Sequence, residues 1–346
     1  MMNEHDNSIS INNNFCPNLG FAAAVMRFYQ DWKNESECIS AKTSGSTGIP
    51  KEISLAKKAM RISAQQTIDF FEIKPEQNLL LCLPVEFIAG KMMVVRSIVA
   101  KAHLVITETS TNPLVPLVNS KKIPIHFAAF TPFQVSTILA NSETKEIFSS
   151  IKTTIIGGGE ISAALEKQLR KINSRIFATY GMTETITHIA VRNIHDEQKI
   201  YKAFKGIHLG QDERNCLTIT ANYLGNQPIV TNDIVAFEGP REFQFIGRFD
   251  NVINSGGVKI HPTQVEAKLD EYIPEPYFIH FKTDDELGQK VILVIERKQP
   301  YDAITLGLLQ STFKDILNKF EIPKEVLFQA QFNRTETGKI IRNIQQ

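Results

Sequence analysis

Between residues 57 and 179 short apolar runs alternate with stretches whose apolar residues recur at helical spacing, and this alternation restricts the fold more than any other feature. Asn78–Leu83, His103–Thr107, Ile125–Phe130, Thr153–Ile156 and Arg175–Thr179 read as strands. Most are apolar at consecutive positions, not at every second one, which marks strands buried on both faces. Lys57–Phe71, Ile88–Ala102 and Pro132–Ala140 read as helices, the last with Pro in its first turn. Ile161, Leu165, Leu169 and Ile172 form a stripe at i, i+4, i+8 and i+11, an amphipathic helix. Strands of this kind separated by helices predict an α/β domain, with a parallel sheet flanked by helices.

After residue 190 the character changes. Cys216–Thr220, Ile229–Thr231, Ile234–Phe237 and Glu242–Ile246 are short runs separated by Asn, Gly and Pro, which predict a β-rich antiparallel subdomain. A further section starts near Asp250, with a boundary at Gly247–Asn251. It holds a Gly-Gly turn and a helix from about Thr263, where Glu266 three residues on suggests a capping box. Strands at Tyr277–Phe281 and Val291–Glu296, a helix at Ile304–Phe320 and a strand at Val326–Phe332 follow. The expected organisation is a large domain over residues 1–249 and a small α+β domain over residues 250–346.

Composition removes several function classes. Lys plus Arg (38) nearly cancel Asp plus Glu (37), so no long-range field attracts nucleic acid or an anionic membrane. Hydrophobic residues make up 42%, enough for a sizeable core. The four cysteines, Cys16, Cys38, Cys82 and Cys216, are scattered without CxxC spacing, which suits a reducing compartment better than a disulfide scaffold or a zinc module. The Asn-rich N-terminus has no basic region followed by an apolar core, and the apolar stretch Met92–Ala100 is interrupted by Arg96 and short for a bilayer. The expectation is a cytoplasmic protein with no membrane insertion.

Several segments carry groups suited to phosphate and nucleotide chemistry. Thr43-Ser44-Gly45-Ser46-Thr47-Gly48-Ile49-Pro50-Lys51 offers small residues, hydroxyls and a cation that can surround phosphate oxygens. It is not a Walker A loop, because no GK[ST] follows at the required spacing, and alone it reads equally well as a Ser/Gly connector. Thr179-Tyr180-Gly181-Met182-Thr183-Glu184-Thr185 follows a buried strand, where open α/β sheets bind ligands. Tyr180 could stack on a base, a Thr could reach a phosphate and Glu184 could hold Mg²⁺; the plain alternative is a strand–turn–helix corner capped by Thr183 or Thr185. Thr231-Asn232-Asp233 and Gly247-Arg248-Phe249-Asp250-Asn251 pair an acid with an arginine, or are ordinary turn chemistry. Asn254-Ser255-Gly256-Gly257-Val258-Lys259-Ile260 and Asn333-Arg334-Thr335-Glu336-Thr337-Gly338-Lys339-Ile340 are weak signals singly.

Their joint order carries more than any one of them. Together, from about Lys42 to Arg342, they resemble the adenylate-forming superfamily of acyl-CoA synthetases, peptide-synthetase adenylation domains and luciferases. The resemblance implies an acetyl-CoA synthetase-like fold in which the small C-terminal domain is mobile. It implies ATP and Mg²⁺ as cofactors, with a carboxylic acid and CoA as the other small-molecule partners, and leaves room for a homo-oligomer. Residue by residue, Thr43, Ser44, Gly45, Ser46, Thr47, Gly48 and Lys51 would hold the β/γ-phosphates. Tyr180 and Gly181 would flank adenine, Thr183 would contact the α-phosphate, Glu184 would ligate Mg²⁺, and Asp233 and Arg248 would bind the ribose. Asp250 matches the hinge, and Lys339 the lysine that bridges the acyl carboxylate and the α-phosphate. Gly256 and Gly257 fall in the segment that faces the site in the thioester-forming step.

Two departures from the pattern stand out. The phosphate loop begins near residue 43, where family members usually carry a much longer preceding region, so most of one N-terminal subdomain is expected to be missing. In Leu83-Pro84-Val85-Glu86-Phe87-Ile88-Ala89-Gly90, Phe87 stands where relatives often have His in a Pro-x-x-His-x-x-Gly pattern. This segment, Ile156-Gly157-Gly158-Gly159-Glu160 and the Tyr180 motif look most similar to the o-succinylbenzoate–CoA ligases of menaquinone synthesis. That resemblance implies an acid pocket from Phe87, Gly90, Lys91, Gly157, Gly158, Gly159 and His188, with the three glycines as a wall beside a flat acyl group. The second carboxylate of such an acid needs a partner, and Lys91, Arg96, His188 and Arg192 are the candidates. Another acyl, aryl or amino acid remains the alternative substrate; for a peptide-synthetase module a carrier domain would normally follow, and none is expected after Gln346. A degenerate, non-catalytic nucleotide-binding protein is the alternative from another class.

Overall fold

The computed structural model describes residues 11–16, 19–42, 52–119, 123–335 and 340–344. In chain order the first elements are β1 (Ile11–Phe15), α1 (Leu19–Lys33), β2 (Cys38–Lys42), β3 (Glu52–Ala56), α2 (Lys57–Phe71), β4 (Asn78–Leu81) and α3 (Ile88–Ala100). Next come β5 (His103–Thr107), β6 (Phe127–Phe130), α4 (Pro132–Leu139), α5 (Ser142–Ser150), β7 (Thr153–Ile156), α6 (Ala163–Leu169) and β8 (Arg175–Gly181). The sheet then runs on through β9 (His188–Asn193), β10 (Ile200–Ala203), β11 (His208–Gln211), β12 (Cys216–Thr220), β13 (Ile229–Gly239) and β14 (Glu242–Arg248). The last part contains β15 (Ile253–Ser255), β16 (Val258–Ile260), α7 (Pro262–Leu269), β17 (Tyr277–Asp284), β18 (Gly288–Glu296), α8 (Ala303–Ile316) and β19 (Glu325–Gln329).

One sheet takes the order β1-β5-β4-β6-β7-β8-β9-β10-β14-β13-β12-β11. Its first half is parallel, as the alternation of apolar runs and helices predicts. Every residue of β6 and β7 is buried, because helices and loops cover both faces. From β8 onward the pairing is antiparallel. The two apolar runs around Asn232 are one long strand, β13, kept continuous by register shifts against β14. The second sheet, β16-β15-β18-β17 with β19 beside β18, has its own core, which includes Val265, Leu269, Leu293 and Phe313. No helix among the described residues is long and apolar enough to cross a membrane.

Several boundaries differ from the sequence expectation. The Asn-rich start contains a strand, β1, parallel to β5, which lone periodicity cannot reveal in so polar a run. The helix expected to Ala102 ends at Ala100, because Lys101 takes the left-handed conformation and closes it. The capping box at Thr263 does not form: Pro262 opens α7 behind His261, which provides no side-chain cap. Glu266 turns instead to the Ile279 N–H (2.7 Å) and to both Nη atoms of Arg342 (2.8 Å each).

Candidate active site

The parallel and antiparallel halves of the sheet meet at β8, and the segment Met182–Thr187 that joins β8 to β9 is a tight turn, not the start of a helix. Ile186 donates its N–H to Thr183 O (2.9 Å) with φ +70°, in the left-handed region that a β-branched residue rarely enters. Thr185 fixes the turn: its Oγ1 accepts from Met182 N (2.9 Å) and lies 2.8 Å from Thr187 O. The outcome is a buried Thr183 beside an exposed Glu184, whose carboxylate has no hydrogen bond among the described residues. Strained turns of this kind concentrate at ligand sites.

Tyr180 and the expected ribose pair lie in one chain of contacts. The Tyr180 hydroxyl donates to Asp233 Oδ2 at 2.6 Å, and its ring stands edge-on to Phe243 at 5.1 Å. Burial, then the Asp233 charge, holds the Tyr180 hydroxyl well above its ordinary range, so it stays a donor at neutral pH. Asp233 and Arg248 are paired across β13 and β14, with 3.9 Å between Oδ1 and Nη1. The guanidinium of Arg248 forks onto Asp250 through Nε (2.9 Å) and Nη2 (2.8 Å). Those hydrogen bonds hold Arg248 above its ordinary value.

The acid-pocket residues divide by what they touch. A Cβ at Gly90 would stand 2.2 Å from Pro84 O, so only glycine lets α3 approach the Leu83–Pro84 backbone. A Cβ at Gly157 would lie 2.4 Å from Thr179 Oγ1, so its smallness also answers to β8. Gly158 and Gly159 have no such neighbour, and Gly181 lies against Thr187 and His188. Phe87 precedes α3 and bridges to Lys42. Lys91 places Nζ 4.6 Å from the centre of the Phe28 ring, and burial lowers its pKa.

Arg96 and His188 form a buried pair. Arg96 is 1% exposed and His188 5%. Arg96 Nη2 donates to Thr187 Oγ1 (3.0 Å) and lies 3.5 Å from His188 Nδ1, while His188 Nε2 is 3.3 Å from Thr67 Oγ1. Arg96 Nε is buried without a partner, and no carboxylate among the described residues pairs with the guanidinium. Burial lowers Arg96 to about 9. Burial, then the Arg96 charge, keeps His188 well below its ordinary value and neutral. Arg192, also a candidate for the second carboxylate, is already committed: both of its Nη atoms bond Glu166 at 2.9 Å in a buried fork. Glu166 lies in the helical stripe 161–172, and nothing in its local sequence marks it as that partner.

Thr43, Ser44, Gly45, Ser46, Thr47, Gly48 and Lys51 lie outside the described residues, as does Lys339. Gly256 and Gly257 form the two-residue turn between β15 and β16, both with positive φ (58° and 81°), which a tight hairpin of this twist requires. Asp270, at the end of α7, accepts from Ala163 N at the start of α6 (2.6 Å) and from the Tyr277 hydroxyl (2.7 Å). This contact brings the C-terminal sheet's helix against the segment that follows Gly157–Gly159.

The family profile described as "AMP-binding enzyme" matches residues 30–208, more than half of the chain and the whole of the Tyr180 turn. The chain belongs to the AMP-binding enzyme family. This AMP-binding enzyme is 34% identical to an acyl-CoA synthetase (AMP-forming)/AMP-acid ligase II-like protein from Dyadobacter fermentans, covering 94% of this chain and 93% of that one at a TM-score of 0.64. It is 23% identical over 333 residues to the 2-succinylbenzoate–CoA ligase of Lactococcus lactis, covering 90% of this chain and 71% of that protein. The o-succinylbenzoate CoA synthetase from Bacillus subtilis, solved with its acyl-adenylate intermediate, shares the fold at a TM-score of 0.75 and 18% identity, over 88% of this chain and 67% of that one. These likenesses support the α/β, acyl-CoA synthetase-like architecture expected from the sequence.

Proposed function

We propose that this AMP-binding enzyme is an ATP-dependent acid–CoA ligase whose acid carries a second carboxylate, with 2-succinylbenzoate as the substrate. The observation that carries the choice of acid is Arg96. A guanidinium buried with no anionic partner is costly to hold, and a carboxylate brought by the substrate relieves that cost in the complex. Lys91 and His188 suit the task less, since one lies against an aromatic ring and the other is kept neutral. The curated ligases named for this acid add support from sequence.

In this reading the acid needs no general base, because carboxylates are ionised at neutral pH. Its reacting carboxylate forms a bond to the α-phosphorus of ATP as the bond to pyrophosphate breaks. Two anions are drawn together there, so the site must supply oriented cations and donors. Thr183 beside the turn offers a hydroxyl, Asp233 and Arg248 orient the ribose, and Tyr180 borders the base. Glu184, an exposed carboxylate free of hydrogen bonds among the described residues, fits a hard cation with oxygen ligands. Mg²⁺ held there would neutralise charge on the phosphate oxygens. The reading assigns Lys339 to the bridge between acyl carboxylate and α-phosphate, and residues 1–249 and 250–346 to two domains that turn about Asp250. In the second step the CoA thiolate attacks the acyl carbonyl and AMP leaves.

The test is thioester formation with ATP, Mg²⁺, CoA and a panel of acids, for the native enzyme and for Arg96→Met and Lys339→Ala. The expected result is turnover of 2-succinylbenzoate, with KM raised about 100-fold in Arg96→Met, the scale of a lost buried charge pair. Benzoate and other monoacids should not distinguish native enzyme from Arg96→Met. Lys339→Ala should lower the adenylation rate about 10²–10³-fold. Preference for a monoacid would overturn the choice of acid, and absence of acid-dependent pyrophosphate release would overturn the ligase reading.

A further inference from the structure

The parallel strands have a second end, opposite the one that carries Gly157 and Tyr180, and a cleft of about 540 Å³ opens there. Lys152, Arg175 and His195 line it, and no carboxylate is among the lining residues. Lys152 immediately precedes β7, and Arg175, which opens β8 opposite Thr153, donates its N–H to Lys152 O at 3.4 Å. Both are cations on the lining of one cleft. Neither side chain has a carboxylate partner among the described residues; Arg175 merely lies 5.8 Å over the Phe177 ring. Burial, then the Lys152 charge, lowers His126 from its ordinary value. The nearest acid in sequence, Asp196, takes the Asn193 amide at 3.2 Å.

The remaining lining groups add donors. Ser174 Oγ is buried and has no hydrogen-bond partner, an uncommon state for a hydroxyl. His195 Nε2 lies 3.0 Å from Ser174 O, which assigns its proton to that bond. Asn173 contributes an exposed amide. Ser149 and Ser150 do not count as donors, because their hydroxyls bond Lys145 O (2.8 Å) and Ile147 O (2.7 Å). Two cations, an unpaired hydroxyl and an amide around one space make a set of donors that matches the several oxygens of a tetrahedral oxyanion. Phe177 and Ile151 give the same cleft an apolar wall.

From this placement we propose that the cleft between α5, β7, β8 and the turn after β9 is a second ligand site, which takes free phosphate or the phosphate of a small phosphomonoester. It lies at the opposite end of β7 and β8 from the nucleotide turn and is independent of the ligase reading.

The experiment follows the His195 imidazole signals by NMR, assigned through His195→Gln, while inorganic phosphate or phenyl phosphate is added to the full chain. No nucleotide is added, because AMP is itself a phosphomonoester and would compete for the cleft. The expected result is a saturable shift of the His195 signals in the native protein, about tenfold weaker in Ser174→Ala, the scale of one hydrogen bond to a charged group. The shift should vanish in Lys152→Gln/Arg175→Gln, whose AMP binding and melting temperature should match the native protein. Tighter phenyl phosphate would assign the site to a phosphomonoester, and equal affinity would assign it to free phosphate. No saturable shift with either probe, or a shift that survives in the double variant, would overturn the proposal.

Discussion

Arg96 is a charged side chain in the protein interior whose hydrogen bonds go to a hydroxyl and reach toward a neutral imidazole, with one nitrogen left unpaired. The ligand-free protein should therefore be less stable than a version with an apolar residue of similar length. Arg96→Met is expected to raise stability by about 1–4 kcal/mol, each kcal/mol lifting Tm by roughly 1–2 °C for a chain of this size. Thermal unfolding without ligand measures this, and a lower Tm would mean that Thr187 and His188 depend on the guanidinium for packing. His188 gives a pH dependence with a definite sign. Its native pKa is depressed by burial and then by Arg96, so below about pH 6.5 the unfolded chain binds a proton that the native state refuses. Its contribution is present above that pH and is lost as pH falls, by up to about 1.4 kcal/mol per pH unit. Urea unfolding of the native protein and His188→Gln between pH 7 and pH 5 checks it (pH values of roughly that range suit the linkage): the variant should show the shallower slope.

At the scale of elements, Glu166 ties α6 to β9. Burial pushes its carboxyl up, but the hydrogen bonds from Arg192, helped by Arg170, hold it below its ordinary value. Both Glu166 and Arg192 side chains are almost wholly buried, so removing one leaves an unpaired ion. Glu166→Gln should cost about 3–5 kcal/mol, and Glu166→Leu/Arg192→Met should recover most of it. A double variant no more stable than the single one would contradict this account. The stripe that located α6 shows what was legible in sequence and what was not. Apolar residues at 161, 165, 169 and 172 announce a helix, yet Glu166 looks like any outward residue of it, since its partner lies 26 positions away. In the same way β4 and β5 were legible from their runs of consecutive apolar residues, whereas β1 forms because β5 offers it an edge. The Tyr180 turn was legible as a place and as a set of residue types, but the left-handed Ile186 that shapes it leaves no mark on composition. At Thr263 a local capping rule lost to a distant Arg342 and to Pro262.

Across the whole molecule, the twelve-stranded sheet ends at Arg248 and the five-stranded one begins at Ile253, so only a short link connects the two bodies. Asp250 lies in that link and holds the Arg248 fork, the same group that the proposed function assigns to the ribose. Asp250 takes the Nε and Nη2 donors of that guanidinium, so a ribose hydroxyl that needs the same edge must displace the carboxylate. On the proposed assignment of that edge to the ribose, nucleotide and link compete for one side chain, and linkage makes the competition reciprocal. Whatever draws Arg248 toward the ribose releases the link, and whatever releases the link tightens the nucleotide by the same factor. Asp250→Ala should bind AMP more strongly, by about tenfold if the fork contributes near 1.4 kcal/mol to the coupling, as calorimetric titration would report. Unchanged affinity would mean that Arg248 serves the ribose without leaving Asp250. In the expected case the enzyme's grip on its leaving nucleotide becomes a gauge of how its two halves are set, and release of AMP becomes easier as the link re-forms.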